Sequence, residues 1–199
     1  MPFTLPELPY AYDALADLGM SPQTLARHHA LHRVYVVNCN ALIPGTAWEG
    51  MSLEELIRHS YSPGSLAQSA IFNNASQHWN HSAFWLMMGP EPEKPMPLAL
   101  KKALNKSFGS VQAFKDAFIA AGAAHFGSGW VWLVRGYKKT LQILATENGV
   151  NPLCFGQTAL LGCDLWEHGY HGDFGIERQV YLMNFLDHLV NWENAALRL

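Results

Sequence analysis

The chain of 199 residues is poor in several things, and each shortage removes a class of protein. Charged residues make up only 15%, and the formal net charge is −3. That leaves no basic stripe to follow a nucleic-acid backbone and no cationic face for an anionic membrane, so neither nucleic acid nor membrane is an expected partner. The apolar runs are far too short to span a bilayer. The start, Met1-Pro2-Phe3-Thr4-Leu5-Pro6, lacks the basic region and continuous apolar stretch of a secretory signal. Cysteine is scarce: Cys39, Cys154 and Cys163 are odd in number, widely spaced and outside any C-x2-C pattern. Reduced, mostly buried thiols and a cytoplasmic location are the expectation. Missing too are H-E-x2-H, a Walker loop, G-x-G-x2-G, G-x-S-x-G and the E-x2-H pairs of a di-iron bundle. No internal repeat or low-complexity tract is present.

Apolar residues, by contrast, reach 49%, with seven Trp, ten Phe and ten His. This is enough for one large domain or two small packed ones. Ser21-Pro22 reads as a helix cap with proline at the first helical position, opening a long helix to about Leu42. Leu25, His28, His32 and Tyr35 share one stripe of it. Ser52-Leu53-Glu54-Glu55 is a capping box for a short helix to about His59. A second long helix is expected from about Leu66 to Met88, and Pro90 to Pro97 reads as a linker. Helices follow over Leu98–Phe108 and from Ser110 to about Ala121. Strands are predicted over Trp130–Val134, Thr140–Thr146 and Thr158–Cys163, then a last amphipathic helix over Tyr181–Ala195. The fold class is therefore α+β. An N-terminal helical-hairpin domain, residues 1–89, precedes a C-terminal lobe, residues 90–199, that holds a three-stranded antiparallel sheet.

Asp164-Leu165-Trp166-Glu167-His168 places a carboxylate and an imidazole four residues apart, with a large aromatic between them. Such a pair converges on one cation if the chain turns, and it suits Fe, Mn or Zn better than a thiolate-loving metal. His28 and His81 are the candidates to complete the set, one on each long helix. Gln77 lies one turn before His81, and an amide beside imidazoles is what a metal-bound water needs to be held. His59, His78, His125 and His188 read as surface or otherwise satisfied groups, and His29 sits one position off the stripe.

With these residues assembled, the chain resembles the iron/manganese superoxide dismutases over essentially its whole length. The matching stretches are Leu5-Pro6-Glu7-Leu8-Pro9-Tyr10, Phe72-Asn73-Asn74-Ala75-Ser76-Gln77-His78-Trp79-Asn80-His81, Phe126-Gly127-Ser128-Gly129-Trp130 and Asp164 to His168. The resemblance implies one iron per subunit, with manganese as the alternative, held by His28, His81, Asp164, His168 and a solvent molecule. It implies conversion of two superoxide anions to dioxygen and hydrogen peroxide as the metal cycles between +3 and +2. Gln77 would bond the solvent ligand. Tyr35 and His32 would form the gateway, and Trp79, Trp130 and Trp166 would wall the site. Gly149 stands where manganese-specific members place their glutamine, which favours iron. Glu167 would pair with His168 of the partner subunit in a homodimer, with a tetramer as the next order of assembly. The rival reading is a non-catalytic structural member of the same fold. A zinc hydrolase is a weaker rival, since no spare carboxylate offers itself as general base.

This chain departs from the family pattern in two places. The family reads H-x3-H-H-x2-Y in the first helix, whereas His28 to Tyr35 is one residue shorter. Eight residues from ligand to tyrosine call for a π-bulge; seven fit a plain α-helix. The expectation is a lost bulge and a kept site, with His28 rather than Arg27 as ligand. After His168, His171 replaces a tyrosine, Gly175 an arginine and Gln179 a proline. Together with Ala30 where lysine is common, this predicts weak electrostatic steering of a small anion.

Overall fold

A computed structural model describes residues 2–65 and 67–199. Helix α1, Pro22–Leu42, is capped by Ser21, whose side chain accepts from the Thr24 N–H. It is α-helical from end to end, with no π turn between His28 and Tyr35. Helix α2, Leu53–Ser60, opens with a complete capping box of Ser52 and Glu55. Helix α3, Ala70–Met87, is capped by Ser69. Its start lies later than the pattern suggests, and Leu66 lies outside the described residues. Helix α1 packs along α3, and the buried faces of the two carry five of the ten histidines.

Residues 89–97 are irregular, as the proline run predicts, and the end of α3 just before them is tied to the C-terminal segment. The Gly89 N–H donates to the Leu189 carbonyl, Asn191 N–H to Met87, and Met88 bridges Val190. Helices α4, Leu98–Phe108, and α5, Val111–Ala124, follow. Strands β1, Gly129–Arg135, β2, Leu141–Glu147, and β3, Thr158–Asp164, form one antiparallel sheet in the order β2-β1-β3. β1 is central and reads Trp130-Val131-Trp132-Leu133-Val134, all buried, because helices or neighbouring strands cover both of its faces.

Helix α6, Glu167–Phe174, begins just beyond β3. The single final helix predicted over Tyr181–Ala195 is instead three pieces. Helix α7, Arg178–Asn184, runs into a π turn at Phe185–Leu189, breaks at extended Val190, and α8, Trp192–Leu197, restarts under an Asn191 cap. The Met88–Val190 bridge forces that break, because a bridged residue cannot also continue a helix. One apolar core joins Leu25, Phe84 and Trp85 of the helical pair to Trp130, Leu161 and Phe185 of the C-terminal lobe. A smaller cluster beside it holds Cys39, Leu56, Ile57 and Phe72. The seam between the two halves is thus buried, and it is where the histidines of α1 and α3 meet the end of β3.

Candidate metal centre

Four elements each deliver one side chain to this seam: His28 from α1, His81 from α3, Asp164 from the end of β3 and His168 from the first turn of α6. The chain turns between the last two because Asp164 Oδ1 accepts from the Trp166 N–H at 2.8 Å. That leaves Asp164 Oδ2 facing three imidazoles: His28 Nε2 at 3.1 Å, His168 Nε2 at 3.2 Å and His81 Nε2 at 3.6 Å. One donor atom from each of the four lies within 4.8 Å of all the others. His28, His81 and Asp164 are fully buried; His168 is partly exposed. Arg27, the competing residue, is exposed.

The protonation states suit a cation. Burial lowers the pKa of His28 and of His81, so both imidazoles stay neutral and keep a lone pair. His81 Nδ1 lies 2.7 Å from the Gln77 carbonyl, which fixes its proton there, and Nε2 is left without a hydrogen-bond partner. Burial alone would raise Asp164; His168 beside it, with the hydrogen bonds of His168 and His28, outweighs that and holds the carboxyl below the usual range. A carboxylate with three imidazole nitrogens is a hard-to-borderline donor set that fits a first-row transition metal.

Gln77 is oriented from one side. Its Oε1 accepts from Trp130 Nε1 and Asn80 Nδ2, both at 3.1 Å, so the buried Nε2 points away with no partner. A Cβ at position 149 would stand 3.5 Å from Gln77 Cγ, an ordinary contact distance, so Gly149 lies directly beside Gln77. The Tyr35 ring stands 5.3 Å from that of His81. Burial, then the Asp164 charge, pushes the Tyr35 phenol up to about 12, partly opposed by the Gln77 amide. Tyr35, Gln77 and Trp166 also line an open cleft of about 350 Å³ that leads outward past Asn73, Asn74, Glu147 and Asn148.

The chain matches the profile described as iron/manganese superoxide dismutases, alpha-hairpin domain, over residues 2–89. It matches the profile for the C-terminal domain over residues 95–198. The chain belongs to the iron/manganese superoxide dismutase family. It is 64% identical to a superoxide dismutase [Fe] of Rhodobacter capsulatus over the full length of both chains. It is 46% identical to one of Legionella pneumophila, again over both full lengths. One of Salmonella typhimurium is 44% identical, covering 100% of this chain and 99% of that one.

Within this superoxide dismutase framework some expected positions shift. His32 does not stand at the cleft mouth beside Tyr35. It is fully buried, accepts from Trp85 Nε1 at 3.0 Å through Nδ1, and meets His78 Nδ1 at 2.7 Å through Nε2. Trp130 stands edge-on to His81 at 5.3 Å, and Trp166 stacks on His168 at 5.6 Å. Trp79 is half-buried and leans on Trp132 at 6.1 Å, and it makes no ring contact with the four clustered residues. Trp85 takes the place expected for Trp79, edge-on to His28 at 4.9 Å, with Phe84 behind it. His78, read as a surface or satisfied group, is a buried partner of His32. The signal for both was the i, i+4 and i, i+7 spacing from His78 and Trp85 to neighbours on α3, which places them on the face that α1 covers. Glu167 and His171 are both exposed on α6.

Proposed function

We propose that this chain is a superoxide dismutase that holds one iron at His28, His81, Asp164 and His168. The observation that carries the reading is the convergence of three imidazole nitrogens on one buried aspartate oxygen at 3.1–3.6 Å, beside Tyr35, Gln77 and Trp166, which line an open cleft. Iron, when bound, supplies one-electron chemistry: it takes an electron from one superoxide, giving dioxygen, and passes it to a second, which with two protons becomes hydrogen peroxide.

The residues set the conditions for that chemistry. Asp164 brings the one negative charge of the donor set. Gln77 presents an unengaged amide N–H in a buried position, where a hydrogen bond is worth more than in water. Trp85, Trp130 and Phe84 keep bulk water off the ligands. Tyr35, with its raised pKa, keeps its proton across the physiological range at the inner end of the cleft.

The same reading extends to a homodimer. Glu167 and His171 are exposed, and Phe126 and Ile176 nearby stand 99% and 86% exposed. Ile176 shares a surface hollow with Glu167, His171 and Arg178, and Arg178 bonds the carbonyls on either side of Phe126; large apolar side chains so bare are what an isologous contact buries. Glu167 would then reach His168 of the partner subunit. Cytoplasmic location is part of the proposal, supported by three free cysteines among the described residues. No helix among the described residues is long and apolar enough to cross a membrane. Metal analysis of purified protein, paired with a superoxide-consumption assay, tests the core of the reading. Bound iron with rapid consumption is expected; zinc or no metal, with no consumption, would defeat it.

A further inference from the structure

The cleft that opens onto Tyr35, Gln77 and Trp166 is lined by Ser65, Gln68, Asn73, Asn74, Asn148 and other neutral groups, and by a single charged one. That one is Glu147, the last residue of β2. It is exposed, and among the described residues no cation lies within salt-bridge distance of it. The backbone holds it at the rim: the Asn148 N–H donates to the Ser128 carbonyl, the Val150 N–H donates to the Glu147 carbonyl, and Asn148 turns with φ +50°. Two residues on, Gly149 packs against Gln77. A carboxylate therefore stands at the rim of this cleft, and among the described residues no lysine or arginine pairs with it.

We infer that Glu147 is a specificity-determining residue that filters anions by charge. Gln77 and Asn148 present amide dipoles to whatever enters, while the side-chain amides of Gln68, Asn73 and Asn74 already donate to the Ser62, Gln68 and Ala70 carbonyls. A monoanion loses little at the rim and regains it on those dipoles. Repulsion scales with the charge of the visitor, so a dianion such as sulfate is repelled twice as strongly in energy. The filter costs superoxide little and keeps multiply charged anions from the metal. This inference rests on the proposed metal centre being reached through this cleft.

The test uses full-length, iron-loaded protein, with azide as the monoanion and sulfate as its competitor, followed by the change in the iron absorption spectrum. Proteins compared are the wild type, Glu147→Gln, Glu147→Lys and Asp17→Asn. The last removes one exposed charge outside the cleft lining. At low ionic strength Glu147→Gln should tighten azide about twofold and sulfate about fourfold, and Glu147→Lys should roughly square both factors. The differences should vanish near 0.5 M inert salt, where the screening length falls to about 4 Å. Asp17→Asn should behave as wild type. Equal azide and sulfate affinities in all four proteins would overturn the inference, as would an equal factor for both anions. Iron uptake with no azide response in any protein would overturn the claim that the cleft leads to the metal. Superoxide consumption by the same samples reports separately on the proposed activity, so either idea can fail alone.

Discussion

His81 shows how one atom's hydrogen bond decides what another can do. Its Nδ1 proton is committed to the Gln77 carbonyl, so Nε2 is left as a lone pair facing Asp164. Gln77 is handled in the same way: Trp130 and Asn80 occupy its oxygen and turn its N–H outward. Replacing Gln77 with Leu keeps the volume and removes the donor. Metal affinity or activity should fall about 10- to 100-fold, read by metal competition and superoxide consumption. Circular dichroism should stay that of the wild type. At this scale much was legible in the sequence. Each proposed ligand sits in a motif with distinctive neighbours, as in Trp166-Glu167-His168 and Trp79-Asn80-His81. For His78 the spacing on α3 gave only the helix face; its burial comes from α1 lying over that face, a tertiary fact. His32 was placed wrongly for a geometric reason. On a regular helix of about 100° per residue, Tyr35 lies about 20° to one side of His28 and His32 about 40° to the other. Tyr35 therefore turns to the cleft and His32 into the α1–α3 seam.

Among the elements, the sheet is the least forgiving. Gly162 of β3 faces Trp132 of β1, and a Cβ there would fall 2.2 Å from the indole ring. Trp132 is fully buried and anchored by its Nε1 to Thr146, so it has nowhere to go. Gly162→Ala should cost about 3 kcal/mol and lower Tm by about 6–12 °C. An unchanged melting curve would mean that the ring can swing aside. Helices α1, α2 and α5 were readable because Ser21-Pro22, the Ser52–Glu55 box and Ser110 announce them and cap as side chains, whereas the start of α3 was placed at Leu66, ahead of its Ser69 cap. The strands followed from the change to β-branched and aromatic runs after Gly129. The C-terminal helix was misread because its apolar period continues through Val190, while the break comes from a bridge to Met88, 102 positions earlier in the chain. No local signal carries that.

For the molecule as a whole, burial of neutral imidazoles sets an acid limit. Burial, then the charges of neighbouring histidines, lowers His32 to about 3; burial lowers His78 to about 4. Their folded pKa values lie below the unfolded value near 6.5, so the unfolded chain binds protons first as pH falls. The stability they contribute is full above pH 6.5 and is lost on the way down to about 3–4. At pH 5 the loss is about 2 kcal/mol for each. Metal-free protein should melt many degrees lower at pH 5 than at pH 7.5, and calorimetry reads this directly. Assembly is tested at the bare apolar surface. Phe126→Asp should convert the proposed dimer to monomer in light scattering, whereas an unchanged mass would place the contact elsewhere. The apolar core that crosses the seam explains why four residues far apart in sequence can share a site. The most direct test reconstitutes metal-free protein with iron and with manganese, side by side, and measures bound metal and superoxide consumption on the same samples. The account predicts stoichiometric iron, lost on substituting His81 by Ala, and rapid consumption by the iron form that exceeds the manganese form. Stoichiometric iron without superoxide consumption, or activity that survives loss of His81, would contradict it.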